Sequence, residues 1–423
     1  MDTCNDYVVA SILGFASAHT EIVGSQSKAI APAASTSAIP KGASPLAAGG
    51  FLPDKWRAVI DKGFGRGRLS GMPQIVLSEA EELATPAGWA RLGERWRALE
   101  AEADCSFFQS WSWVGCRGAE RFPDPVLLEA REAGETVALA LFNRRRGLLG
   151  DTLHLNETGD GVHDAPFVEH NGPLVRRGAE ALVLPCLAAA LRGLGRRLVL
   201  SGAGDRVAAA ARLAPGCAVV RQVRPAPYVD LAAIRAAGGG YEASLSANTR
   251  QQLRRSARAY GTIRAVKAAD VAEGLRFLDS LAALHQTYWT GRGQAGAFAA
   301  PFFRAFHREL VTVALPRGEV ELWQIAADGD NVLGYLYNFR WRDQIAAYQS
   351  GFSYRREDSR SKPGLTSHKA AIEFALAEGL GVYDFLGGGD RYKTSLGNSR
   401  RDLHWLELGP CWRPAALLAR LST

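Results

Sequence analysis

The sequence predicts an α/β (α+β) chain: two similar lobes, residues 72–220 and 221–423, behind a disordered leader at 1–71. Three observations predict it. Residues 362–397 read in succession as a loop, a helix, a strand and a charged tail, the layout of an α/β ligand site. Parts of the first half recur, in order, in the second. Residues 1–71 are rich in Ala, Ser, Gly and Pro, with no sustained period after position 18.

Within 362–397, Pro363 stands where a first helical residue would, and its missing N–H costs nothing there. Leu365, Ala370, Ile372, Ala375 and Leu376 give the next segment an apolar helical face. Gly379 and Gly381 end it. VYDFL is a short, mostly apolar strand closed by GGGD, and Arg391-Tyr392-Lys393 form a polar, aromatic and basic tail. The N–H groups of Gly364, Leu365 and Thr366 are free to meet an anion. The strand end offers Asp384, Asp390, Tyr392 and Lys393.

The leader is either a flexible tail or an artefact of translation that starts at Met72, where patterned sequence begins. Trp89, Leu92, Trp96 and Leu99 predict a helix from Trp89 to Ala103. The aromatics of FFQSWSWVG (107–115) read as core, and 126–146 as a hairpin turning at Gly134. Residues 150–172 form a polar loop with His154, His163, Asp164, Glu169 and His170, whose spacing matches no metal motif; a surface or substrate-facing loop is expected and no metal. A helix to Leu194, the strand RRLVL and GAGDR close this half. In the second half come a basic helix at 241–259, two further helices, a strand–turn–strand and a last strand, QIAAYQSGFS.

The duplication rests on spacing. Gly134, Val137, Leu141, Phe142 and Asn143 recur at equal intervals as Gly329, Val332, Leu336, Tyr337 and Asn338. Phe107, Phe108 and Trp111 recur as Phe302, Phe303 and Phe306, and Gly204-Asp205-Arg206 as Gly389-Asp390-Arg391. The interval shortens along the chain, as a longer loop at 150–172 in the first copy requires. Real repeats place Asn143 over Asn338 and Asp205 over Asp390. The copies differ in chemistry, since Asp384, Tyr392 and Lys393 have only apolar residues near the matching places. The reaction is therefore expected in the second lobe.

Hydrophobic residues make up 47% and charged residues 22% of the 423, an ordinary globular balance. The net charge of +7 comes mostly from arginine and suits anionic ligands, but it is spread along the chain, which argues against general nucleic-acid binding. The six cysteines form no CxxC pair, so neither a zinc site nor a disulfide framework is expected, and a reducing, cytoplasmic setting is. No apolar run is long enough for a membrane span, and the apolar stretch at 7–18 lacks a basic flank.

Three stretches carry a resemblance: the unit at 362–397, the Arg-rich LSANTRQQLRRSAR (245–258) and HQTYWTGRGQAGAF (285–298). In their order along the chain they resemble the GNAT-related acetyltransferases of the cellulose-biosynthesis type, cousins of the FemAB-like aminoacyl transferases. The resemblance covers the last half of the chain, and more weakly reaches back to about position 100. It implies two tandem GNAT-like lobes, each a mixed, mostly antiparallel sheet flanked by helices, with a cleft between them. It also implies acyl transfer from a thioester, acetyl-CoA most simply, to an amine or hydroxyl of a cell-envelope or exopolysaccharide precursor. The GNAT pyrophosphate loop carries [QR]-x-x-G-x-[GA]; here Arg360-Ser361-Lys362-Pro363-Gly364 has one glycine. Arg360 and Lys362 either neutralise phosphates beside the helix start or form a solvated basic loop.

By the same resemblance Tyr392 protonates the leaving thiolate or simply packs, and Lys393 stabilises transition-state charge or pairs with Asp384 or Asp390. Asp384 is a base or a strand-end anchor, and His368 a base or a core histidine. Arg250, Arg254 and Arg258, with Arg255 beside them, share a helix face that holds a polyanionic substrate or is merely solvated. Trp289, Arg292 and Gly293 shape a loop over the cleft. The competing readings are a FemAB-like transferase using aminoacyl-tRNA, and a binding protein that kept the fold without the chemistry.

Overall fold

The computed structural model describes residues 74–79, 81–148, 150–193, 197–214, 216–328, 331–354 and 361–410. The expected leader, Met72, Gly329 and Arg360 lie outside the described residues. The first half contains β1 (Gln74–Glu79), α1 (Pro86–Glu102), β2 (Pro125–Glu132), β3 (Glu135–Arg145), β4 (Thr152–Leu155), β5 (Leu174–Val175), α2 (Val183–Gly193), β6 (Arg197–Gly204), α3 (Asp205–Leu213) and β7 (Cys217–Asp230). Then follow α4 (Leu231–Ala236), α5 (Ala247–Tyr260), β8 (Arg264–Lys267), α6 (Val271–Thr290), α7 (Pro301–Ala314), β9 (Val320–Ala327), β10 (Asn331–Trp341), β11 (Gln344–Phe352), α8 (Pro363–Ala377), β12 (Val382–Asp384), α9 (Arg391–Leu396) and β13 (Ser399–Gly409).

Local chemistry explains most of these. The Thr85 side chain accepts the Gly88 N–H and Pro86 opens α1, while Asp270 accepts the Glu273 N–H to start α6. The β2–β3 hairpin turns through Ala133 (φ 52°) and Gly134 (φ 90°), the left-handed pair a tight hairpin requires. Three details differ from expectation. The basic helix begins at Ala247 after a 3-10 turn, β4 lies inside the supposed loop at 150–172, and the charged tail after GGGD is helix α9.

The strands form one mixed sheet in the order β1-β2-β3-β4-β6-β13-β7-β12-β11-β10-β9-β8, with β5 beside β3. Two lobes are plain in that order, β1 to β6 on one side and β8 to β12 on the other. Their final strands are exchanged. β13, the last of the second lobe, pairs with β6, and β7, which follows the first lobe, pairs with β12. The exchanged strands pair with each other along β13 from Ser399 to Gly409.

β7 runs through the middle of the sheet although it contains Pro225 and Pro227. A residue's N and C=O point to the same side of a strand. The Pro225 and Pro227 carbonyls accept the N–H groups of Gly388 and Phe385, so their nitrogens face that loop and not β13. No ladder bond is lost.

One core belongs to the first lobe, where α2 and α3 cover β2, β3 and β6. A second lies under α4, α5 and α8 against β9 to β12. The third is common to both lobes: Trp96, Phe107, Phe108 and Trp113 pack with Phe303, Phe306, Tyr337 and Phe339, and Phe107 stacks on Phe339 at 4.3 Å. On this face apolar side chains fill the space between the lobes.

The repeat holds for the elements but not for every residue. Asp205 is the first residue of α3 after β6, and Asp390 immediately precedes α9 after β12, without a side-chain cap bond. Asn143 does not overlie Asn338. Leu139 and Leu141 face the shared core, which puts Asn143 on that side, whereas Tyr337 and Phe339 face it in β10 and leave Asn338 on the other. A slip of one residue flips a strand's faces. The cysteine expectation also needs correction: Cys217 is disulfide-bonded, whereas Cys105, Cys116 and Cys186 are free.

Candidate active site

β11 and β12 are parallel neighbours for three residue pairs only, Gln344↔Val382, Ile345↔Tyr383 and Ala346↔Asp384. Beyond them β11 continues to Phe352 along β10, while the other chain turns away through Leu386 (φ 61°). A gap opens between the two. The start of α8 lies beside it, since a Cβ on Gly364 would come 3.1 Å from the Phe352 ring. The N–H groups of Gly364 and Leu365 belong to the first turn and have no intrahelical carbonyl to bond. Thr366 is turned inward instead: its N–H bonds the Lys362 carbonyl and its hydroxyl meets Ser256 of α5 at 2.7 Å. The Lys362 N–H donates to the same Ser256 oxygen, so α5 holds the helix start in place.

The first lobe has a matching gap, where β4 and β6 pair only from Thr152↔Arg197 to His154↔Val199. Its own loop fills it. Asn171 bridges Ala203 as an added parallel strand residue, and its N–H donates to the Gly202 carbonyl at 3.1 Å. Gly202 has φ 62°, and a Cβ there would lie 2.6 Å from the Val168 carbonyl oxygen. Gly202→Ala is therefore expected to push the loop out and destabilise the protein by about 2 kcal/mol. A urea midpoint equal to wild type would show that the loop is not seated on β6.

The same loop then crosses into the second lobe. Phe167 stacks on Tyr348 of β11 at 4.6 Å. Glu169, 2% exposed, accepts the Gly387 N–H at 2.7 Å. His170, in the left-handed region (φ 50°), places Nε2 3.0 Å from Asp384 Oδ2. Thus residues 167–170 touch both sides of the second lobe's gap. Lys393, 8% exposed, donates to the Gly387 carbonyl at 2.8 Å and lies 3.7 Å from Asp390. Gly387 is thereby held by a carboxylate at its N–H and an ammonium at its C=O. Only glycine permits that approach, because a Cβ would sit 2.7 Å from Glu169 Oε1.

Burial pushes the Glu169 carboxyl above the usual carboxylate range, and Lys393 and the Gly387 N–H offset it only partly. Burial also acts on Asp384, but there His170, Arg401 and the Leu386 N–H outweigh it and hold the carboxyl below that range. With Arg401 at 3.2 Å and the Leu386 N–H at 2.7 Å, both Asp384 oxygens are engaged. The geometry is that of a strand-end anchor. His368 is buried, and burial followed by the charge of Lys393 lowers it to about 3, so it is neutral. Its Nδ1 meets the Tyr383 hydroxyl at 2.9 Å, whereas Nε2 is buried without a partner, as is the Ser367 hydroxyl beside it. Tyr392 stacks on the His368 ring at 5.5 Å.

The structure therefore brings Asp384, Lys393, His368 and Tyr392 together near the gap. It does not bring the others there equally. Arg250 turns back to the Leu245 carbonyl, while Arg254, Arg255 and Arg258 are exposed on α5. Trp289 is buried and donates to His285 at 2.9 Å. Arg292 lies over the Tyr288 ring at 3.6 Å, and Tyr288 leads to the gap through Tyr354 and Phe352. Sequence reading had no role for Glu169 and His170. The one signal was the polar insertion that lengthens the first copy. Among the described residues no group of three or more His, Cys, Asp or Glu could hold a metal ion, and no helix is long and apolar enough to cross a membrane.

Residues 247–394 match the family described as "Acetyltransferase (GNAT) domain". That segment is a GNAT-type acetyltransferase domain. It runs from α5 to α9, so the parted strands, the α8 start and Lys393 all belong to the GNAT domain, while Glu169 and His170 reach it from outside. No curated protein matches the sequence. Among solved structures, the chain is similar to a C-terminal (DUF2156) domain of a candidate lysylphosphatidylglycerol synthetase from Agrobacterium fabrum, at 13% identity and a TM-score of 0.50, over 79% of this chain and 96% of that one. It is similar to FemX at 10% identity and a TM-score of 0.50, over 73% of this chain and 95% of that one. At such identities the likeness is one of fold. That likeness supports a tandem-lobe architecture, and the GNAT domain supports an acyltransferase.

Proposed function

We propose that the second lobe transfers an acyl group from a thioester donor, acyl-CoA, to an amine or hydroxyl of a saccharide or lipid precursor of the cell envelope or an exopolysaccharide. The observation that carries this is the parting of β11 and β12 beside the start of α8, within the segment that matches the GNAT domain. The residues present fit such a donor. The first-turn N–H groups of Gly364 and Leu365 suit its phosphates, with Lys362 adjacent and Arg360 two positions before it in sequence. The partnerless His368 Nε2 and Ser367 hydroxyl supply polar groups inside. Lys393 and the backbone it braces stabilise negative charge on the reacting carbonyl oxygen, and Tyr392 provides a proton for the leaving sulfur. Cytoplasmic residence belongs to this reading because acyl-CoA is an intracellular donor; the disulfide at Cys217 is the observation against it.

A second reading, aminoacyl transfer from tRNA, is favoured by the exposed arginines of α5 and by the similarity to FemX. A thermal-shift screen separates them. Coenzyme A or acetyl-CoA at 100 times its dissociation constant is expected to stabilise the protein by about 2.7 kcal/mol, which raises the melting temperature by several degrees. A shift with aminoacyl-tRNA alone would move the assignment to the second reading, and no shift with either would leave a binding protein.

A further inference from the structure

We infer that Glu169, delivered by the first lobe's loop, is the general base of the reaction carried out in the second lobe. The inference rests on the acyl-transfer reading above and adds the residue that activates the acceptor. Three placements carry it. Phe167, Glu169 and His170 span the gap from Tyr348 on β11 to Asp384 and Gly387 at the end of β12. Glu169 Oε2 is fixed by the Gly387 N–H, which orients the carboxylate, while Oε1 accepts no hydrogen bond among the described residues. The other nearby carboxylate, Asp384, accepts the Leu386 N–H and is ion-paired with Arg401 and His170, which hold it below the usual carboxylate range and make it the weaker base.

Burial, which favours a bound proton on Glu169, gives it a basicity closer to neutral pH than an exposed carboxylate has. The charged and titratable groups around it are Lys393 on α9, Arg224 on β7, Tyr348 on β11, Asp384 on β12 and His170 on its own loop. Glu169 takes the proton from the acceptor nitrogen or oxygen as that atom bonds the donor's carbonyl carbon. The carbon–sulfur bond then breaks, Tyr392 gives its proton to the departing sulfur, and Glu169 releases the proton it took to solvent as Tyr392 recovers one from it. Nothing is oxidised or reduced, and Glu169 ends as it began. The division of labour explains why the first lobe keeps the tandem arrangement although its own gap is filled. It supplies the base and the second lobe supplies the donor site.

The test compares wild type with Glu169→Gln, whose amide oxygen still accepts the Gly387 N–H, and with Glu169→Asp. Thiol release from acetyl-CoA is followed across pH with water, glucosamine, lysine and glycerol as acceptors. Glu169→Gln is expected to lower release about 10²-fold and to abolish the acidic limb of the pH profile, with Glu169→Asp restoring part of it. Its thermal shift with coenzyme A should equal that of wild type. A readout that needs no donor is the melting curve against pH. A carboxyl raised on folding contributes stability that is complete below the unfolded value near 4.3 and lost as pH rises through the folded one. Wild type should therefore lose ground to Glu169→Gln as pH rises from about 4. Unchanged release and an unchanged acidic limb in Glu169→Gln, in an active wild type, overturn the inference alone. A wild type that binds no coenzyme A and releases no thiol overturns the acyl-CoA reading, and the inference with it.

Discussion

Lys393→Ala is expected to lower turnover by about 10²–10³, the scale on which one preorganised charge-stabilising donor acts. It is also expected to cost about 1–3 kcal/mol of stability. From the sequence alone the lysine reads as a cationic tip in a polar cleft, whose removal would leave melting nearly unchanged. The structure shows Nζ almost wholly buried, bonded to the Gly387 carbonyl and close to Asp390. Its loss leaves a buried carbonyl without its donor and Glu169 without its nearest positive charge. Lys393→Arg should rescue poorly, because a planar guanidinium cannot occupy the space of a compact ammonium beside Gly388, where even a Cβ would come 3.1 Å from Nζ. Turnover per folded molecule, measured beside each variant's melting curve, decides. If activity falls only in step with folded protein, Lys393 is a brace for the glycine loop and not a charge stabiliser.

Ending the chain at Gly397, before β13, is expected to unfold both lobes. β13 closes the open edge of β6 and pairs with β7 along its length. It also brings Leu403, Leu406 and Leu408 into buried positions. Burial of each such side chain stabilises by about 1.5–3 kcal/mol, so their combined loss approaches the whole of a typical domain's 5–15 kcal/mol. Independent lobes would instead leave the first one intact. Far-UV circular dichroism and limited proteolysis of the shortened chain distinguish the outcomes. A protease-resistant first lobe would refute the strand exchange as a source of stability.

Much of the architecture was legible because it is local. Periodic apolar residues and capping chemistry marked α1, α6, α7 and α8, and turn residues marked the β2–β3 and β9–β10 hairpins. What could not be read depends on partners distant in sequence. No strand was expected at 217–230, where Pro225 and Pro227 lack N–H groups, and the loop at 385–388 makes that harmless. Asn143 and Asn338 looked equivalent, but a match of residue types does not fix which face of a strand a side chain takes. Asp384 and Lys393 were visible as chemistry at a strand end. Glu169 and His170 were visible only as polar loop residues, because their neighbours Gly387 and Asp384 lie more than two hundred positions away. No spacing rule links them.

The strand exchange also bears on how the chain is made. Synthesis is vectorial, and β6 emerges with an edge that no described strand before it covers. Its partner β13 lies roughly two hundred residues downstream, which at 5–20 residues per second is a wait of on the order of 10–40 s. Throughout it the nascent first lobe presents unpaired backbone groups, the template on which strands of other chains add. A fold whose last strand completes its first lobe therefore leaves the ribosome half-closed, and its yield in the cell depends on what shields β6 until the C-terminus arrives.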